Sequence, residues 1–144
     1  MGPAIAATPP PADMPQLSMM SAPPARPIWW RQETFLRGLD LLNQGRFFAA
    51  HEALEEDWHD LAGRERQFVQ GLIQVAVALH HHRAGNAEGA IALLDRAAQN
   101  LAPHADRFAE VDLAALRAAL AQWLEFLARG GPEPVPVNVV RTLR

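Results

Sequence analysis

The chain has 144 residues, 49% hydrophobic, 20% charged and 7% aromatic, a balance typical of folded globular proteins and not of disordered, collagen-like or membrane chains. It has no cysteine, and its 13 basic residues are all Arg, which excludes disulfides, thiolate nucleophiles, zinc fingers, Schiff-base lysines and P-loops. A formal net charge of −3 argues against nucleic acid or anionic lipid as partners.

Residues 1–28 hold most of the prolines and no periodic apolar pattern, so they read as an extended leader outside the fold. Pro9, Pro10, Pro11 and Asp13 interrupt any apolar run of the kind a secretory signal needs, and the expected location is cytoplasmic. Trp29 and Trp30 read as a staple that packs the chain entry onto the core. The expected folded body is 29–129, followed by an extended tail at 130–144. Val135, Val137, Val139 and Val140 suit that tail to lie on the body or to pair with a partner.

Within the body, apolar residues recur at three-and-four spacing between Gly, Asn and Pro breaks, which predicts an all-α bundle of about five helices arranged as antiparallel hairpins. The first runs from Gln32 to Leu42 and stops before Gly45, a residue suited to the left-handed turn after a helix. The second covers Phe47 to Leu61. The third, Glu65 to Arg83, has no charged residue between Gln67 and Leu79 and is therefore central, yet it is too short an apolar run for a membrane span. Gly85 and Asn86 supply a C-terminal glycine and an N-cap for the fourth helix, which Pro103 ends. The fifth runs from Asp112, its cap, to Leu127. The spacing Gly45, Ala50, Leu54 echoes Gly85, Ala90, Leu94, which indicates two similar helical hairpins and falls short of a repeat array.

On a helical wheel, His51 lies within the buried stripe of the second helix and Glu55 at its rim, one turn apart, with Trp58 beside them. Glu52 and His59 lie farther round, and Glu56, Asp57 and Asp60 face solvent. The third helix carries Gln67, Gln70, Gln74 and His81 along one stripe, neutral polar groups where an exposed face would hold charges. Antiparallel packing would let the two stripes meet as a polar seam. The leading reading is a mutually satisfied network that fixes helix register in a binding or interaction module. The alternative is a divalent-metal enzyme, of hydrolase type, with His51, Glu55 and His81 as ligands. The sequence HEALE is not the HExxH zinc motif, and His80, His81 and His82 fan too widely to share one ion. His104, after Pro103, reads as exposed.

Other chemistry leaves little trace. The only hydroxyl residues are Thr8, Ser18, Ser21, Thr34 and Thr142, all in the leader, the tail or the start of the first helix, which argues against a Ser or Thr nucleophile with a His base. Arg64, Arg66 and Arg83 suit an anion but read first as solvated helix-end charges.

The run Gly45-Arg46-Phe47-Phe48-x-x-His51-Glu52-x-x-Glu55-x-x-Trp58, then Arg66-x-Phe68-x-Gln70-Gly71-Leu72-Ile73-Gln74, His80-His81, Gly85-Asn86 and Gly89-Ala90, resembles the DUF309 family, small all-α proteins of unknown function. The resemblance spans about Phe35 to Leu120 and departs at Val69, where relatives often have an aromatic residue. It implies a compact helical domain without established enzyme activity, and it marks His51, Glu52, Glu55, Trp58, Gln70, Gln74 and Asn86 as signature positions. With His81 these form the expected binding pocket. The expected partner is a protein or small molecule, a second copy of the chain being one option, with a divalent metal the one cofactor in view.

Overall fold

The computed structural model describes residues 28–142, so the leader expected at 1–28 lies, apart from Ile28, outside the described residues. A 3-10 turn, Trp29–Arg31, opens the chain and leads into α1, Glu33–Asn43. Trp29 stands edge-on to Phe35 with ring centroids 4.9 Å apart, which seats the entry on the core as expected. Then come α2, Phe47–His59; α3, Gly63–Arg83; and α4, Ala87–Leu101. A two-residue hairpin, β1 Arg107–Phe108 and β2 Val111–Asp112, precedes α5, Leu113–Arg129. Among the described residues no helix is long and apolar enough to cross a membrane.

Local chemistry sets the helix ends. Gly45 and Gly85 take φ of 78° and 83°, which a Cβ would oppose, and each sits in the middle of a three-residue connection into the next helix. The Asn86 side chain accepts from the Gly89 N–H at 3.0 Å, and Asp112 accepts from the Ala115 N–H at 3.0 Å, so both expected caps form. The echo of glycine, alanine and leucine is two like hairpins, α1 with α2 and α3 with α4, whose Ala50, Leu54, Ala90 and Leu94 are all fully buried.

Packing follows chain order: α1 on α2, α2 on α3, α3 on α4, and α4 on α5. α3 is the central helix, with Phe68, Val69, Leu72, Val75, Ala76 and Ala78 fully buried. The inner face of α2 is made of Ala50, Ala53 and Leu54, whereas the larger Phe47 and Trp58 are only half-buried. Small side chains there let α1 come close: a Cβ on Gly38 would stand 2.8 Å from Leu54.

One feature, the hairpin, was not expected, and one expected alternative, the tail lying on the body, is what the structure has. The hairpin is a minimal strand pair in an otherwise all-α fold; Ala109 and Glu110 form its turn at φ of 51° and 61°, the left-handed region that usually selects Asn or Gly. Glu110 offsets that cost through its side chain, which accepts from Arg31 and from Arg141, the latter at 3.0 Å. The tail after Gly131 lies on the body. Val137 and Val139 are buried, the Val140 carbonyl accepts from the Asp112 N–H at 2.8 Å, and Trp123 Nε1–H donates to the Val135 carbonyl at 3.1 Å.

Candidate functional site

The polar residues picked out on α2 and α3 do not merge into one seam. His51 Nε2 lies 3.2 Å from Glu55 Oε2, a pair within α2, while the buried His51 Nδ1 has no hydrogen-bond partner. Glu52 is exposed. Trp58 is capped by the Arg66 guanidinium, 3.7 Å above its ring, which ties α2 to the start of α3. Gln74 turns to α4 instead of α2, its Oε1 accepting from Asn100 Nδ2 at 2.7 Å, and Gln70 beside it is half-buried. His81 Nδ1 lies 3.2 Å from Asn86 Nδ2, closing the turn between α3 and α4. The physical reason is rotation: α3 has neighbours on two sides, and a wheel drawn for one helix does not tell which neighbour a stripe meets.

The same geometry bears on metal binding. Among the described residues no three His, Asp or Glu side chains converge as ligands for one ion. Two imidazoles lie near the Phe48 ring, whose centroid is 5.7 Å from that of His51 and 6.1 Å from that of His80. Phe48 itself is 59% exposed.

Two titratable residues sit elsewhere than expected. His104 is buried, at 6% exposure, packed 4.6 Å from the Phe108 ring and edge-on to Phe68, with neither ring nitrogen hydrogen-bonded. Burial, foremost, holds its pKa below the ordinary histidine value, and the Arg64 and Arg117 charges add to it. Asp57, expected on the solvent side, is half-buried against α1 and accepts from Thr34 Oγ1 at 2.8 Å. Burial raises its pKa, partly countered by that hydrogen bond and reinforced by Glu56 and Asp60.

A cavity of about 500 Å³ opens where the turn between α1 and α2, the end of α3, α5 and the tail converge. Leu42, Leu79 and Val137 form its deep apolar walls and Phe47 and Trp123 its flanks. Its polar side chains are Arg83, His82, Glu133, Gln44 and Asn43, the last of them engaged with the Val139 backbone. Arg83 Nη1–H donates to the Gly45 carbonyl at 2.5 Å, and its guanidinium lies 4.5 Å from the Phe47 ring centroid. His82 Nε2 is 3.3 Å from Glu133 Oε1. The volume lies within the roughly 300–1,000 Å³ of small-molecule sites. Sequence reasoning missed this cavity, because its walls come from four separate segments; the one signal in the chain was Arg83, first read as a solvated helix end. Arg66 and Arg83 serve opposite ends of α3 and form no joint anion site.

Residues 35–93 match the profile of a domain of unknown function, DUF309. That stretch of the chain is similar to DUF309. The matched stretch ends within α4, short of the Leu120 limit expected from the motifs. A stretch of 98 residues, 67% of the chain, is 33% identical to an uncharacterised protein of Aquifex aeolicus (strain VF5) and covers 29% of it. A stretch of 49 residues, 33% of the chain, is 45% identical to the uncharacterised protein YpuF of Bacillus subtilis (strain 168) and covers 28% of it. The chain thus spans less than a third of the length of either relative. The DUF309 match holds the α1–α2 turn and all of α3, and so one side of the cavity; Trp123, Glu133 and Val137 lie beyond it.

Proposed function

We propose that this chain is a non-catalytic binding module and that the cavity under its tail is its binding site. One observation carries the reading: deep apolar walls and a guanidinium fixed by its own backbone contact meet in a single cavity of ligand size. The polar groups of α2 and α3, by contrast, are largely taken up by local pairs. The reading includes a cytoplasmic location and a small-molecule or protein partner, a second copy of the chain among them. The acidic balance speaks against nucleic acid. A small-molecule library screened by thermal shift, with hits retested on Gln44→Trp, tests it. Gln44 is exposed at the rim, and a Trp there blocks the mouth. Hits lost in Gln44→Trp support the cavity; hits that survive it and vanish in His51→Ala place binding on α2.

The second reading, a metal-dependent enzyme using His51, Glu55 and His81, draws on the His51–Glu55 pair and the unpartnered His51 Nδ1. It requires His81 to leave Asn86. Elemental analysis of untagged protein beside His51→Ala decides it: stoichiometric metal lost in the variant would favour the enzyme, and trace metal in both the binding module.

A further inference from the structure

We infer that the cavity takes a small apolar monocarboxylate, its head on the Arg83 guanidinium and its body between Phe47 and Trp123. This rests on the cavity being the binding site and specifies its ligand.

The charge is the first argument. Arg83 is held at the rim by the Gly45 carbonyl and the Phe47 ring, and among the described ion pairs none includes it. A guanidinium has five N–H donors in a fixed fork, and one contact with a carbonyl leaves the others free for a planar, bidentate acceptor. Gly45 makes room for it: a Cβ there would stand 3.0 Å from Arg83 Nη2. The lining carboxylate, Glu133, is on the His82 side at 3.3 Å and does not compete for Arg83. A single fixed cation calls for a single negative charge.

The walls supply the second argument. Leu42, Leu79 and Val137 are 1%, 3% and 4% exposed and offer no polar side-chain atom, so a ligand group reaching them must itself be apolar. An amine would meet the Arg83 guanidinium as a like charge and would find the Glu133 carboxylate already engaged by His82 Nε2, and a sugar or other polyol would leave its hydroxyls unpaired against the leucines.

The test titrates octanoate into the full chain beside octanol, octylamine and acetate, followed by tryptophan fluorescence and backbone amide NMR. Octanoate is expected to saturate and to move Gly45, Phe47 and the Trp123 indole. Octanol should bind about tenfold or more weakly, the worth of a charge-assisted pair, and octylamine and acetate weaker still. Arg83→Gln should bring octanoate down to the affinity of octanol, and Arg83→Lys should restore part of the difference. Equal affinity for octanoate and octanol would overturn the anionic head and leave the cavity as a binding site. No response at the cavity to any of the four would overturn both readings. The four-compound series on the unaltered chain decides the matter even if the Arg83 variants fail to fold.

Discussion

Asn43, in the last turn of α1, holds Val139 of the tail as a neighbouring strand would: its Oδ1 accepts from the Val139 N–H at 2.7 Å and its Nδ2 donates to the Val139 carbonyl at 3.1 Å. The clamp joins residues 96 apart in the chain and seats Val137, a wall of the cavity. Asn43→Ala should cost about 1–3 kcal/mol, because it leaves both Val139 backbone groups without their partner. Urea unfolding measures the loss, and amide exchange at Val139 should quicken well beyond that at Leu72. Unchanged exchange at Val139 would mean that the tail is held by Val137 and Val139 packing alone.

His104 makes the fold sensitive to acid. Its pKa is lowered in the folded chain, so as pH falls below the ordinary value of 6.5 the unfolded state takes up a proton that the folded state resists. The stability it contributes is complete above that value and is lost as pH falls toward the lowered one. His104→Phe keeps the packing on Phe68 and Phe108 and titrates nowhere. Denaturation between pH 8 and pH 5 should show a shallower loss in the variant. Equal slopes would contradict this account of the buried imidazole.

At Gly71 α3 packs tightly on α4. A Cβ there would stand 2.7 Å from Cγ and Cδ2 of Leu101, which is fully buried. Overpacking of about 1–3 kcal/mol opposes a helix-propensity gain of about 1 kcal/mol, so Gly71→Ala should destabilise by up to roughly 2 kcal/mol. Leu101→Val alone also destabilises, but the double variant should cost less than the sum of the two. Strict additivity in thermal unfolding would show that the two sites do not touch.

The hairpin turn separates backbone strain from charge. Ala109→Gly should stabilise by about 0.5 kcal/mol, since relief of the left-handed strain exceeds the added unfolded-state entropy. Glu110→Gly relieves similar strain but removes the carboxylate that receives Arg31 and Arg141, and should be less stable than Ala109→Gly. The Arg31 hydrogen bond, foremost, holds the Glu110 pKa below its ordinary 4.5. The stability it contributes is therefore present above that value and lost as pH falls past it, an acid loss that Glu110→Gln should remove.

The helices were legible because their ends are marked locally: Gly45, Gly85, Asn86 and Asp112 act within one turn of where they stand. Rotation between helices was not legible. Gln74 could be placed on a polar stripe, but only the packing of α3 on α4 brings Asn100 to it. His104 follows a proline, a place usually exposed, yet Phe68 and Phe108, distant in sequence, enclose it. The hairpin lacks the Asn-Gly signal because Glu110 is held through long-range ion pairs. The cavity draws Leu42, Leu79, Trp123 and Val137 from four segments, and no local pattern joins them.

The measurement that bears most directly on the account is amide NMR of the full chain during titration with hits from the library screen. The account predicts shifts at Gly45, Phe47, Leu79 and Arg83 and at the Trp123 indole, with His51, Glu55 and Trp58 unmoved. Shifts centred on His51, Glu55 and Trp58, with the cavity residues unchanged, would contradict it.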